Sequence, residues 1–144
     1  MRNYTSTVAP AKSILKIETL LAKAGVTNIS KSFEDGKVSG IKFRLEHNNS
    51  AIFFEMPVRI DRYVATLAKN HKGRLTDVAR RNIIAQAERT VWKTTAEWIE
   101  IQLDMIAQEQ VSSLEVFLAY AINPHTGVSV MKKLESTQFK LLTE

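Results

Sequence analysis

The chain has 144 residues, 44% hydrophobic and 24% charged, a composition that supports a hydrophobic core and argues against disorder. It contains no cysteine, which excludes a disulfide framework, a thiolate zinc site and a cysteine nucleophile. Its net charge of +5 is unevenly spread: residues 59–93 carry 9 Lys and Arg against 3 Asp and Glu, whereas residues 94–144 carry 3 against 7. A basic middle of this kind reads as a surface for phosphates. The competing reading is that it pairs with the acidic end, within one chain or between copies.

The opening residues, MRNYTSTVAPAKS, lack the apolar stretch of a signal peptide, and no run approaches the ~20 apolar residues of a membrane span. A cytoplasmic chain without a membrane partner is expected. Residues Asn3–Val8 alternate and are β-prone, which predicts a short first strand. Pro10 suits the first turn of a helix that runs to about Ala24 and stops at Gly25, burying Ile14, Ile17, Leu20, Leu21 and Ala24. A three-stranded antiparallel meander follows. Val26–Phe33 leads into the tight-turn dipeptide Asp35-Gly36. Val38–Glu46 then sets Ile41, Phe43 and Leu45 on one face and Lys42, Arg44 and Glu46 on the other. His47–Ser50 turns the chain into Ala51–Pro57, whose density of apolar residues marks a central strand or one covered on both faces.

A short helix is predicted over about Asp61–Lys69, then a polar loop, Asn70–Leu75. Thr76 is the N-cap of the longest element, a helix from about Asp77 to Gln108. Apolar residues cover much of its circumference, leaving Asn82, Gln86, Arg89, Lys93, Glu97, Glu100 and Asp104 as a polar face. Further helices are expected at about Ser112–Ile122 and Val130–Ser136, and an extended tail at Phe139–Leu142. The sum is a single α+β domain over residues 1–144. Its antiparallel sheet of three or four strands is packed by helices, in the order β-α-β-β-β-α-α-α with one long central helix.

Catalytic chemistry finds no support in these residues. His47, His71 and His125 fall in loops, and none has a second ligand at zinc spacing. Glu97, Glu100 and Asp104 stand one turn apart and could seat a divalent cation, but a solvated face with Lys93 and Glu97 paired is the preferred reading. There is no Gly-x-Ser-x-Gly elbow and no glycine-rich phosphate loop. A protein that is not an enzyme and needs no metal or cofactor is expected. The basic residues are the better signal. Lys69, Lys72, Arg74, Arg80 and Arg81 surround one loop and two helix ends, with Arg59 and Arg62 nearby. Arg80 and Arg81 oppose the dipole of their own helix, a cost easier to explain if an anion binds there. Lys42 and Arg44 share a strand face, an arrangement that suits a nucleic-acid strand. An aromatic platform is missing, with Phe33 and Phe53 the only strand aromatics open to solvent, so backbone binding is expected rather than base stacking. The girth of the long helix also suggests a homo-oligomer, anchored by Trp92, Trp98 and Phe117; core packing is the other use of these aromatics.

Several stretches carry a resemblance. Arg2–Val8, the strands around Asp35-Gly36, Phe54–Val58, Ala87–Lys93 with Glu97–Leu103, Glu115–Tyr120 and the Phe139–Leu142 tail resemble a group of small, largely uncharacterised proteins carried by tailed phages and prophages. The resemblance implies a viral or prophage setting, in which small basic proteins often serve replication, recombination or counter-defence. No functional residues carry over from it. Two functions are therefore expected to compete. One is a nucleic-acid-binding accessory protein, with DNA and RNA, single and double strands all open. The other is an interaction module that binds and inhibits a host defence or transcription protein.

Overall fold

The computed structural model, which describes residues 1–143, is α+β, with one antiparallel sheet of four strands and one long helix. It divides into two compact units, one formed by Met1–Leu21 and Val58–Ile101, the other by Ala22–Pro57 and Gln102–Glu144.

The second of these units holds the sheet, and two short turns set its register. Asp35 and Gly36, at φ 51° and 75°, join β1 (Asn28–Glu34) to β2 (Lys37–His47), while Asn48 and Asn49, at 49° and 63°, join β2 to β3 (Ser50–Glu55). Positive φ at both central residues gives the turn whose twist matches that of the flanking strands, and Asp, Asn and Gly tolerate it best. Phe43 then lies across from Phe54, Lys42 from Glu55 and Arg44 from Phe53. Because side chains alternate along a strand, Ile41, Phe43 and Phe54 fall on one face, and all three are buried. The rings of Phe43 and Phe54 stack at 5.2 Å, and Phe117 meets them edge-on at 5.2 and 5.9 Å.

Phe117 ends α4 (Ser113–Phe117), a helix started by a reciprocal capping box between Ser112 and Glu115. The expected helix to Ile122 is cut short. After a 3-10 turn at Leu118–Tyr120 the chain straightens into β4 (Ala121–Ile122), which pairs with Phe53 and Phe54 and makes β3 a central strand. Pro124 accounts for part of this, since the residue before a proline is pushed out of helical conformation. α5 (Val130–Ser136) spans the expected residues, with the Ser129 hydroxyl accepting from the Lys132 amide. The Phe139–Leu142 tail, expected to be extended, coils instead. Gln138 and Phe139 take positive φ, and the Phe139 amide donates to Leu134 O at 2.9 Å, using a carbonyl that the helix end leaves over.

The first unit is helical. α1 (Pro10–Lys23) buries Ile14, Ile17 and Leu21, as its spacing predicts, with Leu20 half-buried, whereas Ala24, expected in the same stripe, lies past the helix end and is exposed. α2 (Ile60–Lys69) is short and amphipathic, and α3 runs from Asp77 to Ala107. The Thr76 hydroxyl accepts from the Ala79 amide at 3.1 Å, the expected N-cap. The predicted strand at Asn3–Val8 does not form. These residues make a turn and an irregular segment, with Asn3 at φ 63°. No strand lies beside them in this unit, and their polar groups bond to α3 side chains instead.

Candidate nucleic-acid interface

The basic residues at the corner between α2 and α3 are placed by local structure. Lys69 closes α2, Lys72 and Arg74 sit in the loop, and Arg80 and Arg81 occupy the first turns of α3. All five are exposed. Between Lys69 and Arg81 the sequence holds these five cations and a single carboxylate, Asp77. Among the described residues none of the five is in an ion pair, so their charge is available to a partner. Like charges gathered this closely repel one another in the free protein and are relieved by an anion.

The sheet cations behave differently. Lys42 and Arg44 are half-buried on β2, and the Arg44 Nη2 donates to Glu46 Oε1 at 3.3 Å. Lys42 faces Glu55 directly across the strands. Two cations and two carboxylates share this sheet face, so it offers no net field for a phosphate chain. Phe53 is half-buried beside Arg44, and Phe33 is 65% exposed on the edge strand.

Two of the three expected oligomer anchors are corrected. Trp92 is 1% and Phe117 2% exposed, so both are inside the chain and neither offers a surface to a second copy. Trp98 is half-buried. Their helical spacing looked the same as that of surface residues, because periodicity does not say how many sides of a helix are covered.

The polar face of α3 has an occupant that the sequence did not announce. Asn3 Nδ2 donates to Glu97 Oε2 at 2.9 Å and to Thr94 Oγ1 at 3.2 Å, while Arg2 Nη1 reaches the same Glu97 oxygen at 3.1 Å. Thr90 Oγ1 donates to Asn3 O at 2.9 Å, and Gln86 and Arg89 both donate to Ser6 O. Gln86, Thr90, Thr94 and Glu97 recur at one-turn spacing, the sequence signal by which such a docking strip is recognised. The Asn3 amide in turn holds the Glu97 carboxyl below its usual pKa, with Arg2 and Lys93 acting in the same direction against the cost of burial. Glu100 pairs with Lys16. Of the three carboxylates considered for a cation, two thus have protein partners, and no group of three or more metal-ligating side chains occurs among the described residues.

The sheet-bearing unit has two clefts of note among its described residues. One, of about 540 Å³, has Leu45, Ile52, Phe54, Ile106 and Leu114 as its apolar walls and is also lined by Glu46, His47, Ser112 and Ser113. The other, of about 570 Å³, lies between Ala121 and Lys133. In the first, the Ser112 hydroxyl accepts from the Glu115 amide as the cap of α4, and the His47 ring meets the Asn48 side-chain amide at 3.3 Å. No described helix is long and apolar enough to cross a membrane. Compared with protein-family models, curated proteins and solved structures, the chain matches none.

Proposed function

We propose that this chain is a nucleic-acid-binding accessory protein, acting in the cytoplasm of a cell that carries a phage or prophage. The observation that supports binding is the α2–α3 corner, where Lys69, Lys72, Arg74, Arg80 and Arg81 are exposed and free of ion pairs. The setting rests on the resemblance of Arg2–Val8 and Ala87–Leu103 to the phage group. Binding is electrostatic: each phosphate neutralised releases condensed counterions, so affinity falls steeply with salt. Lys42 and Arg44, matched by Glu46 and Glu55, are not part of this site.

Fluorescence anisotropy with a labelled oligonucleotide tests the reading. Each phosphate contact contributes about 0.7 to the log–log salt slope on a single strand and about 0.9 on a duplex. Five contacts therefore lose on the order of a hundredfold or more in affinity between about 50 and 200 mM salt. Replacing Arg80 and Arg81 together with glutamine lowers the slope by about one to two units and leaves the circular dichroism unchanged. Absence of binding at about 50 mM salt, or a slope indifferent to both replacements, overturns the proposal.

A further inference from the structure

We infer that the partner of this basic corner is a DNA duplex, with the first two turns of α3 lying in its major groove. The inference rests on the nucleic-acid reading above and adds which nucleic acid is bound and by which element.

The start of α3 is unusually open. Asp77, Val78, Arg80, Arg81, Asn82 and Ile84 are exposed, and only Ala79 and Ile83, one turn apart, are half-buried. At about 100° per residue, Arg81 stands opposite the Ala79–Ile83 side, with Arg80 and Asn82 on its two flanks. This helix end is therefore solvated around most of its circumference. A helix with its side chains is about 10–12 Å across, the width that the ~12 Å major groove of B-DNA admits. Its backbone start is already capped by Thr76, so the surface on offer is made of side chains.

Those side chains have the chemistry of base edges. Arginine forks onto guanine O6 and N7, and asparagine onto adenine N6 and N7. Val78 and Ile84, 57% and 40% exposed, are apolar groups of the kind that meet thymine methyls. Asp77 repels phosphate but accepts a hydrogen bond from cytosine N4. Lys69, Lys72 and Arg74 come just before the helix, where side chains reach the phosphates at the rim of the groove and fix orientation.

Composition counts against the alternatives. From Val64 to Val91 there is no Phe, Tyr or Trp and His71 is the single aromatic ring, so the corner lacks the row of rings on which successive unpaired bases stack. Double-stranded RNA is disfavoured for a different reason: its major groove is deep and narrow, and a helix does not enter.

The test compares three labelled probes of matched length: a DNA duplex, one of its single strands and an RNA duplex of the same sequence. The DNA duplex is expected to bind at least about tenfold more tightly than either, as groove reading adds to phosphate contact. Methyl green, which occupies the major groove, displaces the protein; netropsin, in the minor groove, does not. Val78→Ala and Asn82→Ala, both uncharged changes at exposed positions, weaken duplex binding by about fivefold or more with no change in salt slope. Arg80→Gln lowers the slope itself. Equal affinity for the single strand, displacement by netropsin alone, or full duplex affinity in both uncharged variants overturns the groove assignment, even where salt-dependent binding persists. Binding of none of the three probes overturns the nucleic-acid reading along with it.

Discussion

Asn3 and Glu97, 94 residues apart in sequence, are joined by a hydrogen bond of 2.9 Å from the Asn3 side-chain amide to a carboxylate oxygen. Asn3 holds φ at 63° to do so, a conformation that asparagine tolerates and most residues do not. Removing the side chain leaves Glu97 with Arg2 as its remaining close partner. Asn3→Ala is expected to destabilise by about 1–3 kcal/mol, combining the lost charged hydrogen bond with left-handed strain. Asn3→Gly loses the bond without the strain, so it should be the milder variant. Urea unfolding of the pair separates the two causes, and an alanine variant no worse than glycine removes strain from the account.

The same contact makes a pH prediction. Glu97 has its pKa lowered, first by the Asn3 amide and then by Arg2, from an ordinary 4.5. A carboxyl with a depressed folded pKa contributes stability that is complete above the unfolded value and is lost as pH falls through the folded one. The stability gap between the wild type and Glu97→Gln should therefore be larger at pH 7 than at about pH 3. Chemical denaturation at the two pH values checks this, and a gap independent of pH contradicts it.

The three-ring cluster should be the most sensitive part of the sheet-bearing unit. Phe54 is 1% exposed and touches both Phe43 and Phe117. Phe54→Ala is expected to cost about 3–5 kcal/mol, from lost burial and the cavity left behind. Phe33, 65% exposed on β1, is the control, and its replacement by alanine should stay within about 0.5 kcal/mol. Comparable losses at the two positions would contradict the burial assigned to Phe54.

The second sheet turn can be improved. Asn49 sits at φ 63° in the second central position, where glycine is the favoured residue. Asn49→Gly should raise stability by up to about 0.5–1 kcal/mol, whereas Asn49→Val, β-branched and intolerant of positive φ, should lower it by more than that. Thermal melts of both variants decide the point; a glycine variant clearly less stable than the wild type contradicts the turn geometry.

What the sequence determined by itself is everything whose cause lies within a few residues. Pro10 and Gly25 bound the first helix, Asp35-Gly36 and Asn48-Asn49 fold the meander, Thr76 starts the long helix, and Val130–Ser136 is helical as its pattern reads. In each case backbone preference and side-chain period act over one or two turns of chain. The basic corner was legible for the same reason, since its cations are close together in sequence and the loop keeps them so. The tertiary structure alone decided the rest. Asn3–Val8 has strand-like residues, but a strand needs a neighbour. The groups that meet it are side chains of α3, some 80 to 95 residues away. Ala121–Ile122 has a helical period, yet the open edge of β3 supplies backbone partners that draw it into the sheet. Trp92 and Phe117 could have faced outward or inward on pattern alone, and both are enclosed. Lys42 and Arg44 look like a cationic strand, and it is the β2–β3 register that brings Glu55 opposite Lys42. Such outcomes depend on which distant group arrives to satisfy a hydrogen bond, a charge or an apolar surface, and no local preference encodes that arrival.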